Sequence, residues 1–104
     1  MKEVVNGVRY DTDKALYLGE VYHGEPGGLD YWEAGLYVTP RSRRFFLAGE
    51  GGPMTAWAMP IPGGGVSGSW GIIPISRQEA LELAEEFLDP ETVEEFFGDM
   101  IEDA

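Results

Sequence analysis

The sequence predicts an α+β domain, a mainly antiparallel sheet of about four to five strands with two C-terminal amphipathic helices packed on one face. Strand-like runs punctuated by Gly and Pro fill residues 1–75. A capping box at Ser76-Arg77-Gln78-Glu79 then opens a helical periodicity. Charge changes character at the same point, from mixed to almost wholly acidic.

Val4 to Tyr10 reads as a hairpin turning at Asn6-Gly7, the strongest short hairpin dipeptide. Lys14–Tyr22, rich in Leu, Tyr and Val, reads as a strand. Tyr31–Val38 alternates, with Trp32, Ala34, Leu36 and Val38 on one face, and Phe45–Ala48 is its natural partner. Between them, Thr39-Pro40 breaks the strand and Arg41, Arg43 and Arg44 cluster at a hairpin tip, solvated or facing the acidic helices. Three arginines make a weak footprint for nucleic acid.

Gly49 to Gly71 contains eight Gly and three Pro in twenty-three residues, so little regular structure is expected there. A loop of that length is either functional or a linker crossing the sheet. It carries Trp57 and Trp70. Trp70–Ile75 then reads as a short buried strand whose Pro74 places it at an edge or at its own end.

From Ser76, the residues Ala80, Leu81, Leu83, Ala84, Phe87 and Leu88 share one helical face, while Glu79, Glu82, Glu85 and Glu86 fill the other. Asp89-Pro90 supplies a second start, Asp as N-cap and Pro at the first helical position. Val93, Phe96 and Phe97 oppose Glu91, Glu94 and Glu95, and Gly98 is the expected stop.

With 104 residues, a 43% hydrophobic and 12% aromatic composition and no Cys, the chain is expected to be one packed domain, 1–104, without disulfides or thiolate metal sites. The N-terminus lacks the apolar core of a signal peptide and no run reaches membrane-spanning length, so a cytoplasmic protein is expected. The net charge of −12 argues against direct nucleic-acid or anionic-membrane binding, both of which need positive charge.

That charge is local. Residues 1–75 hold eight acids and six bases, a net of −2, whereas residues 76–104 hold eleven acids and Arg77 alone, a net of −10. A solvated helix face ordinarily mixes signs, because opposite charges four apart stabilise and like charges destabilise by about 0.2–0.5 kcal/mol. The acidic segment is therefore either a solubilising face or an anionic surface that docks on a basic partner.

Motifs for chemistry are weak. Gly63-Gly64-Gly65-Val66-Ser67-Gly68 matches the dinucleotide fingerprint formally but precedes a strand instead of opening a helix. Asp11-Thr12-Asp13 begins like a calcium loop, yet Leu16 and Tyr22 occupy its glycine and glutamate positions. His23 is the single histidine, beside Gly24 at a turn or strand end, and no nucleophile elbow accompanies any Ser. Glu50, in Gly-Glu-Gly-Gly after an apolar strand, is the one acid in a setting that resembles a site. A hydrolase using Glu50 or His23 is the least favoured class, and no cofactor or metal is expected.

Asn6-Gly7-Val8-Arg9-Tyr10-Asp11-Thr12, Leu36-Tyr37-Val38-Thr39, Phe45 to Gly52, Ile72-Ile73-Pro74-Ile75 with Glu79-Ala80, and Phe97-Gly98-Asp99 together cover most of the chain. In that order they resemble a family of short acidic proteins of phages and conjugative elements in Firmicutes and related gut bacteria, some members of which resemble anti-CRISPR inhibitors. The Gly63–Gly65 run and the arginine cluster depart from that pattern. The resemblance implies a non-enzymatic inhibitor, acting in a bacterial host cell, that binds a CRISPR effector complex and blocks guide RNA or target DNA. It supplies no site residues. Those come from the charge pattern: Glu79, Glu82, Glu85, Glu86, Glu91, Glu94, Glu95 and Asp99 as the partner-binding face, with Glu50, Trp57 and Trp70 as secondary candidates. The alternative is an accessory or regulatory module of a mobile element whose partner docks on the Gly-rich loop and Trp57, the acidic face serving solubility.

Overall fold

The computed structural model describes residues 1–104 as an α+β fold. Its main sheet has four antiparallel strands in the order β3 (Leu16–His23), β4 (Trp32–Val38), β5 (Phe45–Gly51) and β8 (Ser69–Ile75). The N-terminal hairpin, β1 (Lys2–Val5) and β2 (Val8–Asp11), forms its own two-stranded sheet around Asn6-Gly7, both in the positive-φ conformation such a turn needs. A second small hairpin, β6 (Met59–Pro60) and β7 (Val66–Ser67), projects from the Gly-rich segment, with Gly63, Gly64 and Gly65 at positive φ in its tip.

The helices are α1 (Arg77–Phe87) and α2 (Pro90–Phe97). Ser76 Oγ accepts from Glu79 N at 3.0 Å and Glu79 Oε1 accepts from Ser76 N at 3.0 Å, so the capping box is reciprocal. Asp89 Oδ1 accepts from Thr92 N at 2.8 Å with Pro90 in the first turn. Gly98 does not act as a left-handed stop. Its φ of −54° is right-handed, and the chain continues into a 3-10 turn, Gly98–Met100.

Alternation assigns the faces. Ala34, Leu36 and Val38 of β4, Phe45 and Leu47 of β5 and Val21 of β3 point to the helices, where they meet buried Ala80, Leu81, Ala84 and Phe97. Phe97 stacks on Phe45 at 4.9 Å. Fully burying one such side chain is worth about 1.5–3 kcal/mol. The other face is partly covered by the N-terminal hairpin, which packs Tyr10 with Val5 and Val8 against Phe46 and Ile72.

Strand limits differ from expectation where glycine intervenes. β5 continues through Gly49–Gly51 instead of ending at Ala48, because Gly49 lets β4 approach: a Cβ there would overlap the Glu33 carbonyl and Ala34 Cα. Lys14 and Ala15 precede β3, whose ladder then shifts register between Tyr17 and Gly19. β8 is an edge strand, which accommodates Pro74.

The edge is held by side chains. Trp57, 4% exposed, donates its indole N–H to Gly71 O at 3.0 Å, and the N–H of Ile72 donates to the Glu3 carboxylate. A Cβ on Gly71 would press on that carboxylate at 2.9 Å. The buried carbonyl predicts that Trp57→Phe lowers unfolding free energy by about 1–3 kcal/mol in urea denaturation, since the donor is lost while the ring shape is largely kept. Gly49→Ala is expected to cost a similar amount through overpacking, about 1–3 kcal/mol, in the same assay.

Candidate functional site

The main concavity is an open cleft of about 580 Å³ between α1 and the segment Met54–Trp57. Its floor is apolar: Trp32, Leu47, Trp57, Ile73, Ile75 and Leu83. One wall carries Glu79, Glu82 and Glu86, one helical stripe of α1, and Asp30 and His23 also line the cleft. The two surfaces that the sequence offered as alternatives, the acidic helix face and the Trp57 segment, thus border one site.

Local bonds fix the loop side. Gly52 N donates to Tyr31 O at 2.9 Å and Met54 N to Leu29 O at 3.0 Å, pinning the segment to the β3–β4 connection. Thr55 Oγ1 donates to Gly52 O at 2.8 Å and accepts from Trp57 N at 3.1 Å. Trp57 is consequently a structural residue more than a contact residue; it meets Trp32 at 5.5 Å and leaves only a margin of ring to the cleft.

The carboxylates divide into groups that sequence spacing alone had merged. Glu79 is held in the capping box, and Gln78 Nε2 reaches Glu82 Oε1 at 3.4 Å. Glu85 lies on the other flank of α1, beside Glu102 in a shallow depression with Leu81 and Val93. Glu91, Glu94 and Glu95 are exposed on α2 with no ion pair. Asp99 is not a free carboxylate: Arg77 Nη2 donates to it at 2.8 Å, and that bond holds its carboxyl below the usual range. Arg77, the one base of the segment, is thereby withdrawn from the Glu stripe. Arg43, at φ 56°, lies over the Phe96 ring at 5.6 Å, so the hairpin tip does face the second helix. Arg41 and Arg44 are exposed without an acidic partner.

His23 ends β3, as its place beside Gly24 suggested. It stacks on Trp32 at 6.3 Å, with Nε2 3.5 Å from Asp30. The only hydroxyl in the cleft, Thr55, is already bonded, so no nucleophile is paired with a base there. No group of three or more His, Asp or Glu side chains is placed to hold a metal ion. What the arrangement offers is an aromatic and aliphatic floor beneath four carboxylates, which suits the stem and charged head of a Lys or Arg side chain. Sequence reading missed Asp30, His23 and Met54 as cleft residues, because only the fold brings the β3–β4 connection to α1.

Glu50 and Trp70 do not belong to this cleft. They are cross-strand partners on β5 and β8. In the same register row, Glu33 accepts from Tyr31 Oη at 2.7 Å, and that bond with the surrounding acids pushes the Tyr31 phenol up to about 12. No protein-family model, curated protein or solved structure matches the chain.

Two carboxylates give this region a pH signature. Asp89 is held low by the N–H of Thr92, and Asp99 by Arg77. A lowered folded value contributes stability that is present above the unfolded value of 3.8 and is lost as pH falls through the folded one. The thermal midpoint should therefore fall below about pH 4, and the fall should be smaller in an Asp89→Asn/Asp99→Asn double variant, followed by circular dichroism.

Proposed function

We propose that this chain is a non-enzymatic inhibitor of a basic, nucleic-acid-handling protein, of the anti-CRISPR kind, acting in the cytoplasm of a bacterial host. Its carboxylates occupy the surface on which a CRISPR effector complex would hold guide RNA or target DNA. The observation that carries this reading is the set of exposed carboxylates on α1 and α2, whose only local base is tied to Asp99. RNA-guided effectors hold nucleic acid in a strongly positive channel, and an anionic surface competes for it. A helix of eleven residues is roughly 16 Å long, a length over which duplex DNA presents on the order of ten phosphates. The cleft beneath Glu79, Glu82 and Glu86 adds an apolar seat for one basic side chain, giving the interface a fixed register as well as charge.

A second reading has its own observation. No charged residue occurs from Gly51 to Ser76, and the β6–β7 hairpin there exposes Met59, Ile61 and Val66. Such an uncharged apolar projection fits an accessory or regulatory module whose partner is apolar, with the acids serving solubility.

The two are separated by charge reversal and salt. If the helix face is the contact, Glu82→Lys/Glu85→Lys/Glu86→Lys should weaken inhibition in a target-cleavage assay by roughly tenfold or more, and wild-type affinity should fall steeply between low and physiological salt. Inhibition unchanged by that reversal but lost in Ile61→Asp/Val66→Asp would overturn the acidic-surface mechanism in favour of the hairpin.

A further inference from the structure

The sheet face turned away from the helices carries a feature that neither the cleft nor the acidic helices use. In the strand register, Tyr22 of β3 is opposite Glu33 of β4, Glu33 is opposite Glu50 of β5, and Glu50 is opposite Trp70 of β8. These four make one row across the sheet. Over β4, β5 and β8, at about 4.8 Å per strand, the row is roughly 10 Å long, with Glu33 and Glu50 followed by the Trp70 ring; the Tyr22 ring instead meets Phe87 of α1 at 4.9 Å. The neighbouring row, Val21, Ala34, Gly49 and Gly71, lies on the opposite face, of which Val21 and Ala34 belong to the helix-side core. The N-terminal hairpin covers the part of the outer face around Phe46 and Ile72 and leaves this row open. Trp70 is 71% exposed, the largest exposure among the large hydrophobic side chains.

Like charges directly opposite one another on a sheet are destabilising, and here two such carboxylates are neighbours without a base. Neither ion pair of the molecule involves Glu33, Glu50 or nearby Glu20. Tyr31 gives Glu33 a neutral hydrogen bond at 2.7 Å, which orients the carboxylate and leaves its charge in place. An exposed indole thus lies beside an unneutralised pair of acids.

We propose that this face docks an arginine-bearing segment of a partner protein, with a guanidinium stacked on Trp70 and its N–H edge paired to Glu50 and Glu33. The planar guanidinium can lie on an aromatic face while its fork meets a carboxylate in the ring's margin, a combination that the compact lysine ammonium does not match. Nucleic acid is repelled by the same carboxylates. A second copy docked face to face would bring identical carboxylates together, since a two-fold interface apposes the same patch. The inference is independent of the helix-face reading, because the two surfaces lie on opposite sides of the sheet.

Hexa-arginine and hexa-lysine peptides, titrated into the full chain at 150 mM salt with backbone amide and Trp indole resonances followed by NMR, test it. The expected result is a shift of the Trp70 indole with hexa-arginine, and affinity roughly fivefold lower in Glu50→Gln and in Trp70→Ala. Hexa-lysine should bind more weakly by a similar factor. Glu50→Gln should at the same time raise the thermal midpoint of the free protein, because the opposed charge is gone; weaker binding then cannot be a loss of fold. Glu82→Lys/Glu86→Lys should leave the Trp70 shift intact. Shifts confined to α1 and α2, equal affinity for the two peptides, unchanged affinity in both outer-face variants, or a Trp70 resonance that moves with protein concentration alone would each overturn the proposal.

Discussion

One peptide unit, between Gly71 and Ile72, ties the molecule together. Its carbonyl accepts from the Trp57 indole and its N–H donates to Glu3, residues fourteen and sixty-nine positions away. The C=O and N–H of one trans peptide unit point to opposite sides of the strand, so the two bonds draw different segments to β8. The same two bonds anchor the N-terminal hairpin to one side of β8 and the Gly-rich segment to the other. The cleft depends on this: Trp57 belongs to its floor, and the indole keeps its place because a buried carbonyl without a donor would be costly. Glycine at 71 is part of the device, since any Cβ would displace the carboxylate.

Charge is organised around that frame in three zones. Carboxylates of α1 and α2 lie on one side of the sheet, the Glu33–Glu50 row on the other, and the uncharged β6–β7 hairpin projects from the chain between Glu50 and Arg77. The molecule measures 52 × 31 × 19 Å. Exposed charges separated by more than about 8–10 Å are largely screened at physiological salt, so even across its thinnest dimension the two acidic surfaces act as separate sites. A single figure of −12 therefore describes neither of them.

The helix starts were legible residue by residue because their signals are local. Ser76 and Glu79 are three apart, Asp89 and Thr92 likewise, and both pairs form the bonds that the sequence implies. The alternation of Trp32, Ala34, Leu36 and Val38 was legible for the same reason. Gly49–Gly51 was not, because glycine signals a turn locally and its role here, letting Glu33 and Ala34 approach, is visible only once β4 is alongside. Trp57 reads as a contact candidate because it lies in a long Gly-rich segment of the functional-loop kind. Its acceptor, Gly71 O, is supplied by a strand that the loop itself has to precede. Glu50 and Trp70 stood out individually, and nothing in their spacing of twenty residues announces that they are neighbours.

A net negative charge favours solubility, and its placement on this chain carries a local cost. Small domains stay soluble with a net charge of magnitude about 2–8, and acids interspersed with bases reach it without like-charge contacts. Here only sixteen of 104 residues are buried, so the core is modest and each local repulsion weighs against it. Opposed glutamates on a sheet and carboxylates one helical turn apart each cost a few tenths of a kcal/mol, against a total stability of about 5–15 kcal/mol for an ordinary domain. The chain nonetheless ties its one helical base to Asp99 and stacks Arg43 on Phe96, leaving the Glu stripe and the Glu33–Glu50 pair without cations. Removing bases from both acidic surfaces weakens the free protein and strengthens its attraction for a cationic one. That is the arrangement that the proposed docking on a cationic partner requires.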